Sequence, residues 1–354
     1  MTDKVVNISH WGFSILQIET ESTCNMQCKF CPYPERPDKG ERLPERNILN
    51  VIDSLTTDAG FKYIAFNCYN EPLLDERIYG FVRYAKKRNL AVRITTNGLL
   101  FRSQDVINKL IDSAPDSIKI SLQTANPKLF QSSRGVNINF KEYEDGILEF
   151  LRAVLGKAPV VTVDLACNFL SGLRDLKTKL FGLERGDPSV YNTVAELRND
   201  IYLFLGNLKS LDRCFIFEGN KIDAYLKCVN NKNYSSLDGV KIGENIILKI
   251  KPFTYSRRFK DFYPVKSGIG CRQEILAVLA TGNVVPCCVA YGDMISLGNI
   301  KEEPLKIILE HNTDRLINIR DGLDLPLCCQ HCLGAPTKLG VFFRKLKHRI
   351  KCVN

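Results

Sequence analysis

Three thiols stand close together near the start of the chain. Cys24, Cys28 and Cys31 fall within the eight residues of "CNMQCKFC". Thiolates bind soft metals and carry redox chemistry. A disulfide framework would need an oxidising compartment. The N-terminal stretch MTDKVVNISHWGF has neither an uninterrupted apolar run nor a small-residue cleavage site. The 14 cysteines therefore point to metal or redox chemistry, and to a cytoplasmic chain. A tetrahedral zinc site wants four protein ligands, one more than this group offers. Three thiolates on a four-iron cluster would leave one iron open to a substrate or cofactor.

Thiols gather again near the C-terminus. "GCRQEILAVLATGNVVPCC" holds Cys271, Cys287 and Cys288, and "LPLCCQHC" holds Cys328, Cys329 and Cys332. Between the first two, "TGNVVP" reads as a hairpin turn that brings Cys271 and Cys287 together. Structural zinc on four thiolates is one open reading of this group, and an iron–sulfur cluster is another. Cys68, Cys167, Cys214, Cys228 and Cys352 read as core or incidental thiols.

These residues need elements to position them, and the first half of the chain alternates in type. "SILQIE", "YIAFNC", "AVRITT", "SIKISL" and "PVVTVDLACN" read as strands. Between them, "ERNILNVIDSLTT" puts Ile48, Leu49, Ile52 and Leu55 on one helix face. "DERIYGFVRYAKKRN", with Asp75 as cap, "SQDVINKLIDSA" behind Ser103, and "YEDGILEFLRAVLG" also read as helices. Strand–helix alternation predicts a parallel α/β sheet with crossover helices, either a barrel or an open doubly wound sheet. In such folds chemistry collects where strands end, and Cys24 follows the first strand directly. Beyond Asp187 the rhythm loosens. "SVYNTVAELRNDIYLFLGNL" reads as a helix, and "RCFIFEG" and "NIILKIKPFTY" as strands. A domain transition is expected near Lys251 to Lys266, and the closing "LGVFFRKLKHRIKCVN" reads as a basic apolar helix docked on the body.

Over its 354 residues the chain is 45% hydrophobic and 25% charged, an ordinary globular balance. A net charge of +10 is a mild basic excess for this length, read first as a solvated basic face, with anionic partners as the alternative. No Lys/Arg run is dense enough to argue for nucleic acid, and no run reaches the roughly 18 apolar residues of a membrane span.

The motif Cys24-x3-Cys28-x2-Cys31, with aromatic Phe30 before its last thiol, resembles the signature of the radical S-adenosylmethionine superfamily. Three further stretches follow in that family's order. "CYNEPLLD" stands where the family carries Gly-Gly-Glu; Tyr69 and Asn70 replace the glycines while Glu71 and Pro72 remain. "TTNGLL" resembles its Thr-Asn-Gly turn, and "KISLQTANPKLFQSSRG" its Ser-Leu-Asp…Arg-Gly stretch. The likeness covers roughly residues 12 to 170. It implies a partial (β/α)6-type barrel of parallel strands. It also implies a [4Fe-4S] cluster with an open iron on Cys24, Cys28 and Cys31, and S-adenosyl-L-methionine held by Phe30, Asn70, Glu71, Asn97, Ser121 and Arg134. Arg134 would pair the cofactor's carboxylate.

The C-terminal thiols, with "SLGNI" between them, resemble the SPASM or twitch extension. That likeness implies a small cysteine-rich domain with one auxiliary [4Fe-4S] cluster on Cys271, Cys287, Cys329 and Cys332. Cys288 and Cys328 could replace their neighbours. The expected division is a core at 12–250, an auxiliary-cluster domain at 251–340 and a basic tail at 341–354.

The reaction implied is hydrogen abstraction from an unactivated C–H bond by a 5′-deoxyadenosyl radical. It would oxidise or epimerise a small polar or sugar-like substrate, with a flavodoxin or ferredoxin as reductant. Asp164 and Asp293 are candidate bases, and Cys167 and Cys228 candidate hydrogen donors. With 23 residues before Cys24, no fused leader-binding domain is expected. Modification of a ribosomally made peptide or protein side chain is the alternative within the class. A non-catalytic iron–sulfur carrier and a salt-sensitive RNA modifier are the alternatives outside it.

Overall fold

The structure is a computed structural model. It describes residues 5–56, 58, 60–167, 190–230, 238–252, 262–287, 295–335 and 337–353. One sheet of ten strands organises it, in the order β10-β9-β8-β1-β2-β3-β4-β5-β7-β6. The strands are β1 Ile15–Ile18, β2 Tyr63–Ala65, β3 Val92–Thr96, β4 Ser117–Gln123, β5 Val160–Cys167, β6 Val240–Lys241, β7 Ile246–Pro252, β8 Ile275–Val278, β9 Asn283–Val285 and β10 Gly298–Asn299. From β1 through β5 to β7 every pairing is parallel. On the other side of β1, β8 also pairs parallel. The antiparallel β9 and β10 close that edge, and β6 closes the other. The sheet is open, with β10 and β6 as its edges.

Crossover helices join the parallel strands: α1 Glu45–Ser54, α2 Ile78–Lys87, α3 Gln104–Asp112, then α4 Pro127–Arg134 with α5 Phe140–Val154. After β5 come α6 Val194–Leu211 and α7 Gly219–Asn230. The C-terminal region adds α8 Leu305–His311, α9 Thr313–Asp321, α10 Leu327–Cys332 and α11 Lys338–Val353.

Strand residues alternate between faces, and the register turns this alternation into rows. Leu16 pairs with Ile64, Ile64 with Val92, Ile118 with Val161 and Val161 with Ile246. All of these are fully buried. They form the apolar face on which the crossover helices pack; Ile120, two residues on from Ile118 and also fully buried, meets Ile147 of α5 next to Gly98. The other face is polar. On β4, Ser117, Lys119, Ser121 and Gln123 are half-buried between fully buried neighbours. A second, smaller apolar cluster of Ala277, Leu279, Val285, Ile295 and Ile319 lies under the C-terminal thiols.

Three expectations need correction. "RCFIFEG" is not a strand: the Asp212 side chain accepts from Cys214 N at 2.8 Å, and the local turn breaks the extended run. Asp75 is not the residue that caps α2. It accepts from Arg77 N at 3.1 Å, one turn before the helix starts at Ile78. The basic C-terminal segment is helical, but α11 starts at Lys338 and leaves Phe342 and Phe343 59% and 55% exposed. Arg344 tethers it to the carbonyls of Leu333 and Gly334. Among the described residues no helix is long and apolar enough to cross a membrane.

Candidate cluster and cofactor site

The loops that leave the C-terminal ends of β1 to β4 meet. Cys24, Cys28 and Cys31 lie between β1 and α1; Cys28 is 8% exposed and the other two are half-buried. The last turn of α4 carries this loop. Gln27 N donates to Arg134 O at 3.0 Å, and Lys29 N to Ser133 O at 2.9 Å. Gly135 follows in the left-handed region (φ +66°), and a Cβ there would stand 2.3 Å from Gln27 O.

Arg134, 2% exposed, points back into the loop. Its Nη1 donates to Cys28 Sγ at 3.4 Å. Nη2 donates to the Ser121 carbonyl and, at 3.0 Å, to that of Leu122. The rings of Phe30 and Phe130 each lie 5.8 Å from the guanidinium. Both terminal nitrogens thus have protein partners, and Nε is buried without one. Ser121 takes part through its carbonyl, while its hydroxyl accepts from Gln123 at 2.8 Å.

Asn97 stands at the rim after β3. Its Nδ2 faces Cys24 Sγ at 3.9 Å and donates to Asn25 at 2.8 Å. Glu71 lies behind it. One carboxylate oxygen accepts from Asn97 N and the other from the Thr96 hydroxyl, both at 2.7 Å, and Glu71 N donates to Thr23 O at 2.9 Å. Glu71 therefore ties three loops together. Burial pushes its carboxyl up to about 7, against the pull of the Asn97, Thr96 and Leu73 donors. Asn70 accepts from Cys68 N at 2.9 Å, and its Nδ2 is buried without a partner. Burial pushes the Cys24 thiol up to about 12, with the Glu71, Cys28 and Cys31 charges acting in the same direction. Metal binding must then displace that proton.

At the second group, Cys271, Cys287, Cys328 and Cys329 all pack on the smaller apolar cluster. The β8–β9 hairpin, turning through Gly282 at φ +93°, carries Cys287 there. Cys332 lies three residues beyond Cys329 on α10, half-buried. Between the adjoining thiols, a hydrogen bond from Cys329 draws Cys328 down to about 7 and drives Cys329 up. Cys288 and Asp293 lie outside the described residues. Among the described residues no three His, Cys, Asp or Glu side chains close on one point that a single ion could occupy. Both groupings are therefore placements of loops, not finished coordination spheres. The donor set still fits: three thiols beside one buried cation, with orphaned donors on Asn70 and Arg134, suit an anionic cluster and a polar cofactor.

Sequence reasoning missed three features. Cys68, read as incidental, packs on the same small cluster as the C-terminal thiols. Glu19 and Arg36 form a buried ion pair with Asp38, Arg36 Nη1 standing 2.5 Å from Glu19 Oε1. Asp164, a candidate base, is claimed by two lysines, Lys119 at 3.2 Å and Lys251. A lysine alternating with isoleucines in "SIKISL" and "ILKIKP" was the available signal of a polar strand face. Of the candidate hydrogen donors, Cys167 belongs to the main apolar core and Cys228 is exposed on α7. Cys214 is also exposed, and the Cys352 side chain lies outside the described residues.

A parallel α/β sheet with a three-thiol loop at its strand ends, and a second thiol group beside it, has the donor set of an iron–sulfur protein. The model of the radical SAM superfamily matches residues 18–163, and that of an iron–sulfur cluster-binding domain, SPASM, matches residues 271–333. The chain belongs to the radical SAM superfamily, in its SPASM-containing group, whose cofactors are a [4Fe-4S] cluster, S-adenosylmethionine and auxiliary iron–sulfur clusters. It is 28% identical over 162 residues to the GTP 3′,8-cyclase of Chlorobaculum tepidum, covering 45% of this chain and 46% of that protein. To a probable GTP 3′,8-cyclase of Methanocaldococcus jannaschii it is 27% identical over 117 residues, covering 33% and 38%. The chain thus spans less than half the length of these two relatives. A solved structure of anSMEcpe with bound AdoMet and the Cp18Cys peptide superimposes with a TM-score of 0.50 at 16% identity, over 95% of each chain. At that identity the likeness shows the fold alone.

Proposed function

We propose that this radical SAM enzyme oxidises or epimerises a C–H carbon of a small polar, sugar-like substrate. The observation that carries the reading is the meeting of Cys24, Cys28 and Cys31 with Asn97 and Arg134 at the strand ends, beside a polar sheet face. When bound, the open-iron cluster supplies an electron to S-adenosylmethionine and so a 5′-deoxyadenosyl radical for hydrogen abstraction.

The chain's own part is positional. Cys24, Cys28 and Cys31 would hold the cluster, and the Arg134 charge beside Cys28 offsets their negative charge. Asn70 and Arg134 present the orphaned donors to the cofactor, with Asn97 at the rim. Glu71 fixes the loops that carry them. Cys271, Cys287, Cys329 and Cys332, with Cys328 as the alternative to its neighbour, would hold an auxiliary cluster. Four protein ligands would leave no iron open there, so the group they hold would serve electron transfer or stability rather than bind substrate. A flavodoxin or ferredoxin would supply the first electron. Relatives named GTP 3′,8-cyclase act, by that name, on a small molecule, which favours a small substrate over a peptide.

Anaerobic reconstitution, iron and sulfide counts, and assay for 5′-deoxyadenosine test the reading. We expect two four-iron clusters per chain and cofactor cleavage that disappears in Cys28→Ala. A cluster-loaded, reducible protein that leaves S-adenosylmethionine intact would overturn it and leave an electron carrier.

A further inference from the structure

The polar face of the sheet holds a charged group that the thiol loops do not use. Lys119 on β4, Asp164 on β5 and Lys251 on β7 stand on three adjacent strands. Asp164 is 3% exposed. Its Oδ2 receives the ammonium of Lys119 at 3.2 Å and that of Lys251. Its Oδ1 is buried with no hydrogen-bond partner. The lysine side chains are about a third open, at 31% and 34%.

A structural ion pair needs one lysine for one carboxylate and leaves no acceptor orphaned. This group has one positive charge in excess, held on lysines that solvent reaches, and one buried acceptor oxygen without a donor, which is costly to leave unmet. Each ammonium has three donors, so both keep N–H groups to give. Burial and the Lys119 charge hold Lys251 down to about 7, which reflects the same excess of positive charge. Arg93, a further cation on this face, is taken up by Tyr63 and Ser117 at 2.6 and 3.1 Å.

Position matters as much as charge. Lys119 stands two residues before Ser121, whose carbonyl receives Arg134, which in turn donates to Cys28. At about 3.3 Å per strand residue the lysine lies roughly 7 Å from that rim. The group thus shares the polar face of the strand whose end meets Arg134.

We propose that Lys119, Asp164 and Lys251 form the substrate-recognition subsite. The two ammonium groups take an anionic oxygen group, a phosphate or a carboxylate, and Asp164 Oδ1 takes a neighbouring hydroxyl or amine of the same molecule. The assignment names the substrate class of the radical enzyme and rests on that reading for the word substrate.

Calorimetry on the reconstituted protein tests it, with ribose 5-phosphate as the phosphate probe, D-glycerate as the carboxylate probe and ribose as the neutral control. We expect at least one anion to bind and ribose not to bind. The tighter of the two anions identifies the group recognised. Lys119→Met should weaken that binding at least tenfold, and Lys119→Arg should restore part of it. Asp164 keeps Lys251 in both variants, and thermal melts report whether they fold. The comparison of ribose with its phosphate needs no variant. Failure of both anions to bind, equal binding of ribose and ribose 5-phosphate, or an unchanged affinity in folded Lys119→Met would each overturn the proposal. So would a matching loss of S-adenosylmethionine affinity in Lys119→Met without any anion, because the group would then belong to the cofactor's pocket. Formation of 5′-deoxyadenosine by the wild type without substrate is read separately. Its absence would refute the radical reading and leave the anion result standing.

Discussion

Arg134 is buried and charged, and each terminal nitrogen of its guanidinium has a partner: Cys28 Sγ, and the carbonyls of Ser121 and Leu122. Arg134→Met fills much of the same volume but takes the guanidinium donor from the Ser121 carbonyl, leaves Leu122 O with Thr124 N alone, and leaves Cys28 without its cation. Losing hydrogen bonds made by a buried charged group costs about 2 kcal/mol. We expect a loss of that order in urea unfolding of the metal-free chain, and a lower iron count after reconstitution. Arg134→Lys, a point charge without the planar fork, should recover part of the iron but little of the stability. The "SSRG" stretch made the residue legible in the sequence, but not its partners. Sequence order names the residues that line a site; it does not say which carbonyl a guanidinium will meet across a strand and a loop.

At the scale of elements, the thiol loop is held by the end of a helix. Two carbonyls of the last turn of α4 accept from Gln27 N and Lys29 N, and Gly135 then turns the chain away. Gly135→Ala should be costly for two reasons. The left-handed backbone costs an L-residue on the order of 1–2 kcal/mol. The new Cβ also meets Gln27 O at 2.3 Å, so the loop must move away from the helix. The expected result is a folded protein of normal circular dichroism whose iron count falls well below that of the wild type. Wild-type iron loading would show that the loop does not depend on this contact. The five parallel strands β1 to β5 were readable because strand-like runs alternate with amphipathic helices; β7 was readable as a strand, but not its parallel place beside β5. The segment after Asp212 was misread because one side-chain turn outweighs the β preference of "CFIF". The pairing of β8 with β1 was not readable at all. It joins residues some 260 positions apart, and no local pattern encodes such a contact.

At the scale of the whole molecule, Glu19 is where the two halves meet. It directly follows β1, and its side chain is fully buried. Its oxygens accept from Arg36 in the thiol loop at 2.5 and 2.9 Å, from Tyr69 N after β2 at 3.2 Å, and from Ala280 N after β8 at 3.2 Å. One carboxylate thus fastens the loop of the first thiol group, the loop bearing Asn70 and Glu71, and the hairpin that carries Cys287. Glu19→Gln preserves the shape but places an amide N–H₂ among donors and leaves Arg36 with Asp38 alone. A loss of about 3 kcal/mol follows from the broken buried pair. The diagnostic consequence concerns distance. Arg134 touches only the first group, whereas Glu19 touches the supports of both. In a chain whose Cys24, Cys28 and Cys31 are all replaced by alanine, the remaining iron reports the second group alone. We expect Glu19→Gln to lower that iron and Arg134→Met to leave it unchanged. Equal retention in both variants would mean that the hairpin holds its thiols without the help of β1, and that the two groups are built independently on one sheet.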